Sequence, residues 1–176
     1  MFLYHGTTEA RAKQIMHDGF KPGVSKNWHI KAKDGYVYLS LGYAPFYAAN
    51  AGEGKEKLAL IKVEVDELNL YPEDDYIMFA LGNAKYTQDD LDQVDLEEYW
   101  EFAMSSLEHM GNAAARPEDI RIIGYRAFNP HLLGLVCDPS ICPQNYLFMG
   151  EYYRGLTEWI YNGNDPLKFR QPFMVG

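Results

Sequence analysis

The clearest pattern in the chain is an alternation of apolar and charged residues near position 60. In the segment KLALIKVEV, Ile61, Val63 and Val65 alternate with Lys62 and Glu64. A period of two is typical of a half-buried β-strand, so a strand is predicted over residues 57–65. Shorter runs of β-branched and aromatic residues predict further strands at 2–4, 36–40 and 120–128.

Apolar residues spaced by three and four predict helices between these strands. Thr8 is predicted as the N-cap of the first helix, with Glu9 in its first turn and Gly19 at its end. A short helix is predicted around residues 44–50, with Pro45 in its first turn. The longest helical pattern covers residues 88–110 and repeats on one face through Leu96, Tyr99, Trp100, Ala103 and Leu107.

Strands and short helices that do not alternate strictly as βαβ units indicate an α+β fold. The length of 176 residues fits one domain. We assign residues 1–128 to its core. Residues 129–176 form an aromatic-rich C-terminal extension that we expect to pack on the same domain, and the pattern there predicts no particular element.

Composition narrows the range of partners and locations. The formal net charge is −9, from 16 basic and 25 acidic residues, which argues against generic binding to nucleic acid. The chain has no apolar run of the roughly 18 residues that a membrane span needs. The N-terminal segment lacks the order of a signal peptide, so we expect a cytoplasmic protein with no membrane partner. Cys137 and Cys142 do not have the spacing of a zinc site, and no metal is expected.

Candidate chemistry begins with the segment LYHGTT at residues 3–8. It is followed by GYVYLS at 35–40 and by an A-x-x-Y-A pattern at 44–48. This ordered set resembles the ADP-ribosyltransferase superfamily, in the branch with poly(ADP-ribose) polymerases, diphtheria-type toxins and tRNA 2′-phosphotransferases. The resemblance covers residues 3–48 well and extends to about residue 128. It implies a split antiparallel β-sheet core with flanking helices, in which a histidine closes the first strand.

The resemblance also implies a role for each matching residue towards NAD. His5 would hydrogen-bond the adenosine-side ribose, and the backbone of Gly6 would hold the nicotinamide carboxamide. The ring of Tyr38 would stack on the cationic nicotinamide. Three further residues would brace or line the same site: Thr7, Ser40 and Tyr47.

The resemblance implies a third catalytic residue beside His5 and Tyr38, and this position is less well matched. Transferases of this superfamily usually carry a glutamate on the strand that precedes the segment matching PEDIRII. Glu108 is the nearest acid, although it falls at the end of the long helical pattern. Asn112 is the alternative, at the start of a predicted short strand NAAAR. Glu118 fits a structural turn, and Glu151 is a further candidate.

Taken together, the resemblance implies a toxin-like, NAD-dependent mono-ADP-ribosyltransferase of the glycosyltransferase class. It would cleave the nicotinamide–ribose bond through an oxocarbenium-like state and transfer ADP-ribose to a protein or small molecule. Three alternatives stay open: a catalytically silent module that binds NAD or ADP-ribose, an NAD-dependent RNA 2′-phosphotransferase, and an unrelated α+β protein. The segments 21–35 and 72–88 would select the acceptor.

Overall fold

The structure is a computed structural model, which describes residues 1–21, 33–52, 56–74, 77–78, 87–109, 111–129, 146–165 and 168–169. Its strands and helices follow one another along the chain in this order: β1 (Phe2–Thr8), α1 (Glu9–Asp18), β2 (Val37–Ser40), α2 (Ala44–Ala51), β3 (Leu58–Glu64), β4 (Leu70–Tyr71), α3 (Gln88–Asp92), α4 (Trp100–His109), β5 (Asn112–Ala115), β6 (Arg121–Phe128) and α5 (Tyr146–Tyr161).

The six described strands form one sheet in the order β4-β5-β2-β1-β3-β6. Every neighbouring pair of strands is antiparallel. Helices lie against this sheet, so the predicted α+β class is confirmed. The predicted strand that starts at Asn112 is also confirmed, and Glu118 lies in a 3-10 turn, as the PED segment indicates.

Alternation along the strands divides the apolar side chains between two cores. Leu3 and Leu39 belong to a cluster that includes Ala12 of α1 and Leu107 of α4. Tyr4 belongs to a second cluster, which is completed by residues of α2 and α5: Ala44, Ala48, Tyr152, Leu156 and Ile160. The sheet therefore has an α1 face and an α2 face, and helices cover both.

The predicted boundaries of α1 are confirmed by its caps. The Thr8 hydroxyl oxygen accepts a hydrogen bond from the Arg11 N–H at 3.3 Å. At the other end, Gly19 has a φ of +76° and its N–H donates to the Ile15 carbonyl at 2.9 Å. A positive φ is easily adopted only by glycine, so Gly19 ends the helix for the expected reason.

The first strand is longer than its predicted extent of residues 2–4. It runs from Phe2 to Thr8, and β3 provides a partner for each of its residues. Polar residues continue the strand because pairing with β3 satisfies their backbone groups. His5 consequently lies in the middle of β1, and the expectation that it closes the first strand is wrong.

The predicted single helix over residues 88–110 is also wrong, because α3 and α4 are separate helices. The N–H of Gln93 donates to the Asp90 carbonyl, three residues back, which marks the end of α3. The Asp95 carboxylate then accepts from the Glu97 N–H at 3.0 Å. Such a local side-chain bond offers the backbone an alternative to the helix. Leu96 still reaches the core and is only 1% exposed.

Part of the C-terminal extension forms α5, which the sequence pattern did not predict. Gly155 and the mixture of glycine and aromatic residues weaken the helical signal there. Tyr152, Leu156 and Ile160 are spaced by four and are buried in the second core cluster. The two cysteines, at 137 and 142, lie outside the described residues.

Candidate functional site

The strands β1 and β2 diverge beside the predicted NAD-binding residues. β1 is paired with β3 over its whole length, whereas its described register with β2 pairs only Tyr4 with Ser40. From Tyr4 towards Thr8, β1 continues without a paired β2 residue. We call this place the β1–β2 opening, defined by His5 and Gly6 on β1 and by Tyr38 on β2.

The His5 side chain spans this opening. Its Nδ1 lies 3.0 Å from the Tyr38 carbonyl oxygen. A carbonyl can only accept, so Nδ1 carries the proton in this contact and Nε2 of the neutral ring is a hydrogen-bond acceptor. The ring also meets Phe20 edge-on at a centroid distance of 5.2 Å. These two contacts fix both the orientation and the tautomer of His5.

The ionisation of His5 gives a pH prediction. Burial lowers the pKa of His5 below its ordinary value of 6.5, and the positive charge of Arg11 adds to this effect, although the Tyr38 carbonyl opposes it. At a pH just below 6.5 the unfolded chain therefore binds a proton that the folded chain does not. Stability contributed by the neutral ring is complete above this pH and is lost as the pH falls towards the folded pKa.

We expect the wild-type chain to lose more stability between pH 7 and pH 5 than His5→Gln, which has no ring to protonate. Urea denaturation of both chains at several pH values in this range measures the difference. Parallel losses in the two chains would show that the His5 pKa is not lowered by folding.

The backbone of Gly6 faces the β1–β2 opening. Met1 and Val65 exchange two backbone hydrogen bonds, at 2.7 and 3.0 Å, and the Glu9 N–H donates to the Lys57 carbonyl at 2.8 Å. The register between these points is continuous, so odd-numbered residues of β1 direct their N–H and C=O groups to β3. Even-numbered residues direct theirs to the opposite side, where β2 lies. Gly6 therefore presents a donor and an acceptor at the opening.

Gly6 is also required by the packing of α2. A Cβ atom built on Gly6 would lie 1.8 Å from the Ala44 carbonyl oxygen and 2.6 Å from the Ala48 nitrogen. These are backbone atoms of a helix, which cannot move aside as a flexible side chain can. The absence of a side chain at this position is thus explained by the close approach of α2 to β1.

Tyr38 is anchored through its hydroxyl group. The hydroxyl donates to the Asp74 carboxylate at 2.8 Å and accepts from the Lys33 N–H at 3.2 Å. Burial and the negative charge of Asp74 both raise the pKa of Tyr38 well above its ordinary value. Asp74 and Lys33 were not predicted as site residues, since neither the acidic run at 73–75 nor the lysines around residue 33 have the spacing of a known motif.

Two of the smaller predicted site residues are buried. Ser40 is fully buried, and its Oγ accepts from the N–H groups of Gly42 and Tyr43 at 3.2 and 2.8 Å, which shapes the turn into α2. Thr7 is 3% exposed and follows His5 by two positions, so its side chain lies on the α1 face of the sheet. The structure gives neither hydroxyl an open position at the surface.

Tyr47 and Asn112, both predicted as site residues, are brought into contact. The Asn112 side-chain N–H donates to the Tyr47 hydroxyl at 2.7 Å. Asn112 is the first residue of β5 and pairs with Ser40 of β2, so it occupies the α2 face beside the predicted floor. Glu108, in contrast, lies in the last turn of α4 and not on a strand.

The helix α5 braces the turn between β2 and α2. The Thr157 hydroxyl donates to the Gly42 carbonyl at 2.7 Å, and the Arg154 guanidinium donates to the Leu107 carbonyl. Both bonds fall next to the start of β5, because Gly111 packs against Gly42 and Arg154. The helix α5 thus supports the turn that joins β2 to α2 and the start of β5, a role that the sequence did not indicate.

Within the described ranges, no group of three or more histidine, cysteine, aspartate or glutamate side chains could hold a metal ion. No helix in that part of the chain is long and apolar enough to cross a membrane. In comparisons with known proteins, no family model, no curated protein and no solved structure matches this chain.

Proposed function

We propose that the β1–β2 opening binds NAD and that the protein is a mono-ADP-ribosyltransferase with an ADP-ribosyltransferase-like fold. The observation that carries this proposal is the His5 ring, which bridges two diverging strands and leaves Nε2 as an acceptor. The backbone groups of Gly6 face the same opening. A fixed imidazole acceptor beside a peptide group that faces the opening would suit the two ends of a dinucleotide that carries a ribose and a primary amide.

Each end of NAD would meet complementary groups. A ribose hydroxyl of the adenosine half would donate to His5 Nε2. The carboxamide of the nicotinamide half would accept from the Gly6 N–H and donate to its carbonyl, which makes two parallel hydrogen bonds. The Tyr38 ring would lie against the pyridinium ring, where an aromatic face stabilises positive charge.

The reaction would need no nucleophile from the protein. As the nicotinamide–ribose bond breaks, its electron pair moves to the pyridinium nitrogen and neutral nicotinamide leaves. The ribose carbon becomes oxocarbenium-like, and a lone pair of the acceptor forms the new bond while the acceptor loses its proton to solvent. The protein would contribute by holding the two halves of NAD in a reactive orientation.

A second candidate function follows from Asn112. The residue at the head of β5 is an amide tied to Tyr47, and an amide brings no negative charge to stabilise an oxocarbenium ion. The same opening would then bind NAD or ADP-ribose without turning it over. This silent binding module uses His5 and Gly6 in the same way as the transferase does.

Calorimetric titration with NAD and an assay of nicotinamide release test both candidates. We expect His5→Ala to weaken NAD binding by about tenfold or more, because a buried hydrogen bond to ribose is lost. His17→Ala is the matched control, since the His17 side chain is 88% exposed and pairs with Asp18. The control should bind NAD as the wild-type chain does.

The two readouts separate the outcomes. NAD binding together with nicotinamide release that His5→Ala abolishes supports the transferase. Binding without release supports the silent module. If the wild-type chain neither binds nor cleaves NAD, or if His17→Ala and His5→Ala behave alike, the assignment of this site is wrong.

A further inference from the structure

A buried carboxylate lies beside the Tyr38 hydroxyl. Asp74 is 4% exposed, and its Oδ2 accepts from the Tyr38 hydroxyl at 2.8 Å. Tyr38 itself is half-buried, and its hydroxyl also accepts from the Lys33 N–H. The Tyr38 phenol therefore connects β2 to Lys33, five residues earlier in the chain, and to Asp74 in the segment that follows β4.

Structural anchoring alone does not require a carboxylate at this position. A neutral oxygen, such as that of an asparagine, can accept the same phenol hydrogen bond, and burying a charge costs more free energy than burying an amide. The negative charge does, however, have a consequence for any cation placed against the ring. Charges interact more strongly where water is excluded, and the effect distinguishes a cation from a neutral molecule of the same shape.

We propose that Asp74 is a positioning residue that makes the Tyr38 side of the site selective for a cationic pyridinium ring over a neutral one. This inference rests on the proposed function, which places the nicotinamide ring against Tyr38. The hydrogen bond at the hydroxyl holds the end of the Tyr38 side chain in place. The carboxylate also adds negative potential to the ring face, which strengthens its attraction for a cation.

The selectivity would favour the substrate over the product. The nicotinamide ring of NAD carries a positive charge, whereas free nicotinamide is neutral after the bond to ribose is cleaved. A site that holds the charged ring more tightly than the neutral ring discriminates against its own product. It also discriminates against the reduced dinucleotide, whose dihydronicotinamide ring is neutral.

The test uses two small probes of nearly the same shape. 1-Methylnicotinamide carries the positive charge of the bound ring, and nicotinamide does not. Ligand-observed NMR titration of the wild-type chain should show tighter binding of the cation, by about tenfold. Asp74→Asn should lose about tenfold in affinity for the cation and less than about twofold for nicotinamide, because only the charged probe interacts with the missing charge.

Two further chains serve as controls. Asp74→Glu keeps the charge and should retain the preference for the cation. Asp89→Asn removes the same net charge from an exposed position and should leave both affinities unchanged. A general disturbance of the site would instead weaken both probes equally.

The outcomes distinguish this inference from the proposed function. If Asp74→Asn loses affinity equally for the two probes, the role of Asp74 is overturned. The same follows if the wild-type chain binds 1-methylnicotinamide and nicotinamide with nearly equal affinity. A wild-type ratio close to one overturns this role even if Asp74→Asn does not fold. If neither probe binds the wild-type chain, the nicotinamide site itself is contradicted and both proposals fail.

Discussion

Replacing Gly6 by alanine is expected to destabilise the chain by about 3 kcal/mol or more. The added Cβ would lie 1.8 Å from the Ala44 carbonyl oxygen, so α2 would have to move away from β1. That movement would open the packing of Ala44 and Ala48, which are fully buried in the second core cluster. Urea denaturation followed by circular dichroism measures the loss.

Gly124→Ala is the matched control for this substitution. Gly124 also lies in a strand, β6, and the nearest described atom to its built Cβ is the Tyr161 hydroxyl at 3.2 Å. A side-chain hydroxyl can shift by the small distance that is needed, so the change in stability should be below about 1 kcal/mol. Equal effects at Gly6 and Gly124 would show that α2 does not pack on β1 in this way.

Leu156→Ala is expected to lower the free energy of unfolding by about 2–5 kcal/mol. Leu156 is fully buried in the second core cluster, together with Tyr4 and Leu60 of the sheet. Truncation removes apolar contacts and leaves a cavity between α5 and the sheet. Chemical denaturation of the purified variant gives the size of the effect.

The control is Leu68→Ala, because Leu68 is 73% exposed and its truncation opens no cavity. Its effect should stay within about 0.5 kcal/mol. A comparably small effect for Leu156→Ala would mean that α5 is not part of the cooperative core. The C-terminal segment would then be dispensable for folding.

Elements set by local chemistry were predicted well from the sequence. Thr8 and Gly19 bound the first helix because capping and a positive φ depend on a few adjacent residues. The strand β3 follows from the alternation of Ile61 and Val63 with charged residues, and it is observed at Leu58–Glu64. Asn112 begins a strand as expected.

Features that depend on distant partners were not predicted. β1 extends to Thr8 because β3 pairs with it, and no local pattern around the His-Gly-Thr segment indicates that pairing. The helix α5 has glycine in its interior and is stabilised by burial against the sheet. In the segment between α3 and α4, the local bond of Asp95 outweighs an apolar spacing that also fits one continuous helix.

The candidate site shows the same contrast between residues that a local motif indicates and residues that depend on distant parts of the chain. The resemblance named Tyr47 and Asn112 separately, and in the structure the Asn112 side-chain nitrogen lies 2.7 Å from the Tyr47 hydroxyl oxygen. It also named His5 and Tyr38, which meet through the Tyr38 backbone carbonyl. Asp74 was missed because its contact with Tyr38 depends on the path of the chain after β4, which no motif records.

The strand order has a consequence for the kinetics of folding. Neighbours in the sheet are far apart in sequence: Ser40 pairs with Asn112, and Leu58 pairs with Phe128. The chain must therefore close long loops before these pairings contribute any stabilisation, and the entropy of closure raises the folding barrier. We expect the sheet to assemble over roughly milliseconds to seconds, well behind the formation of α1, whose hydrogen bonds are local.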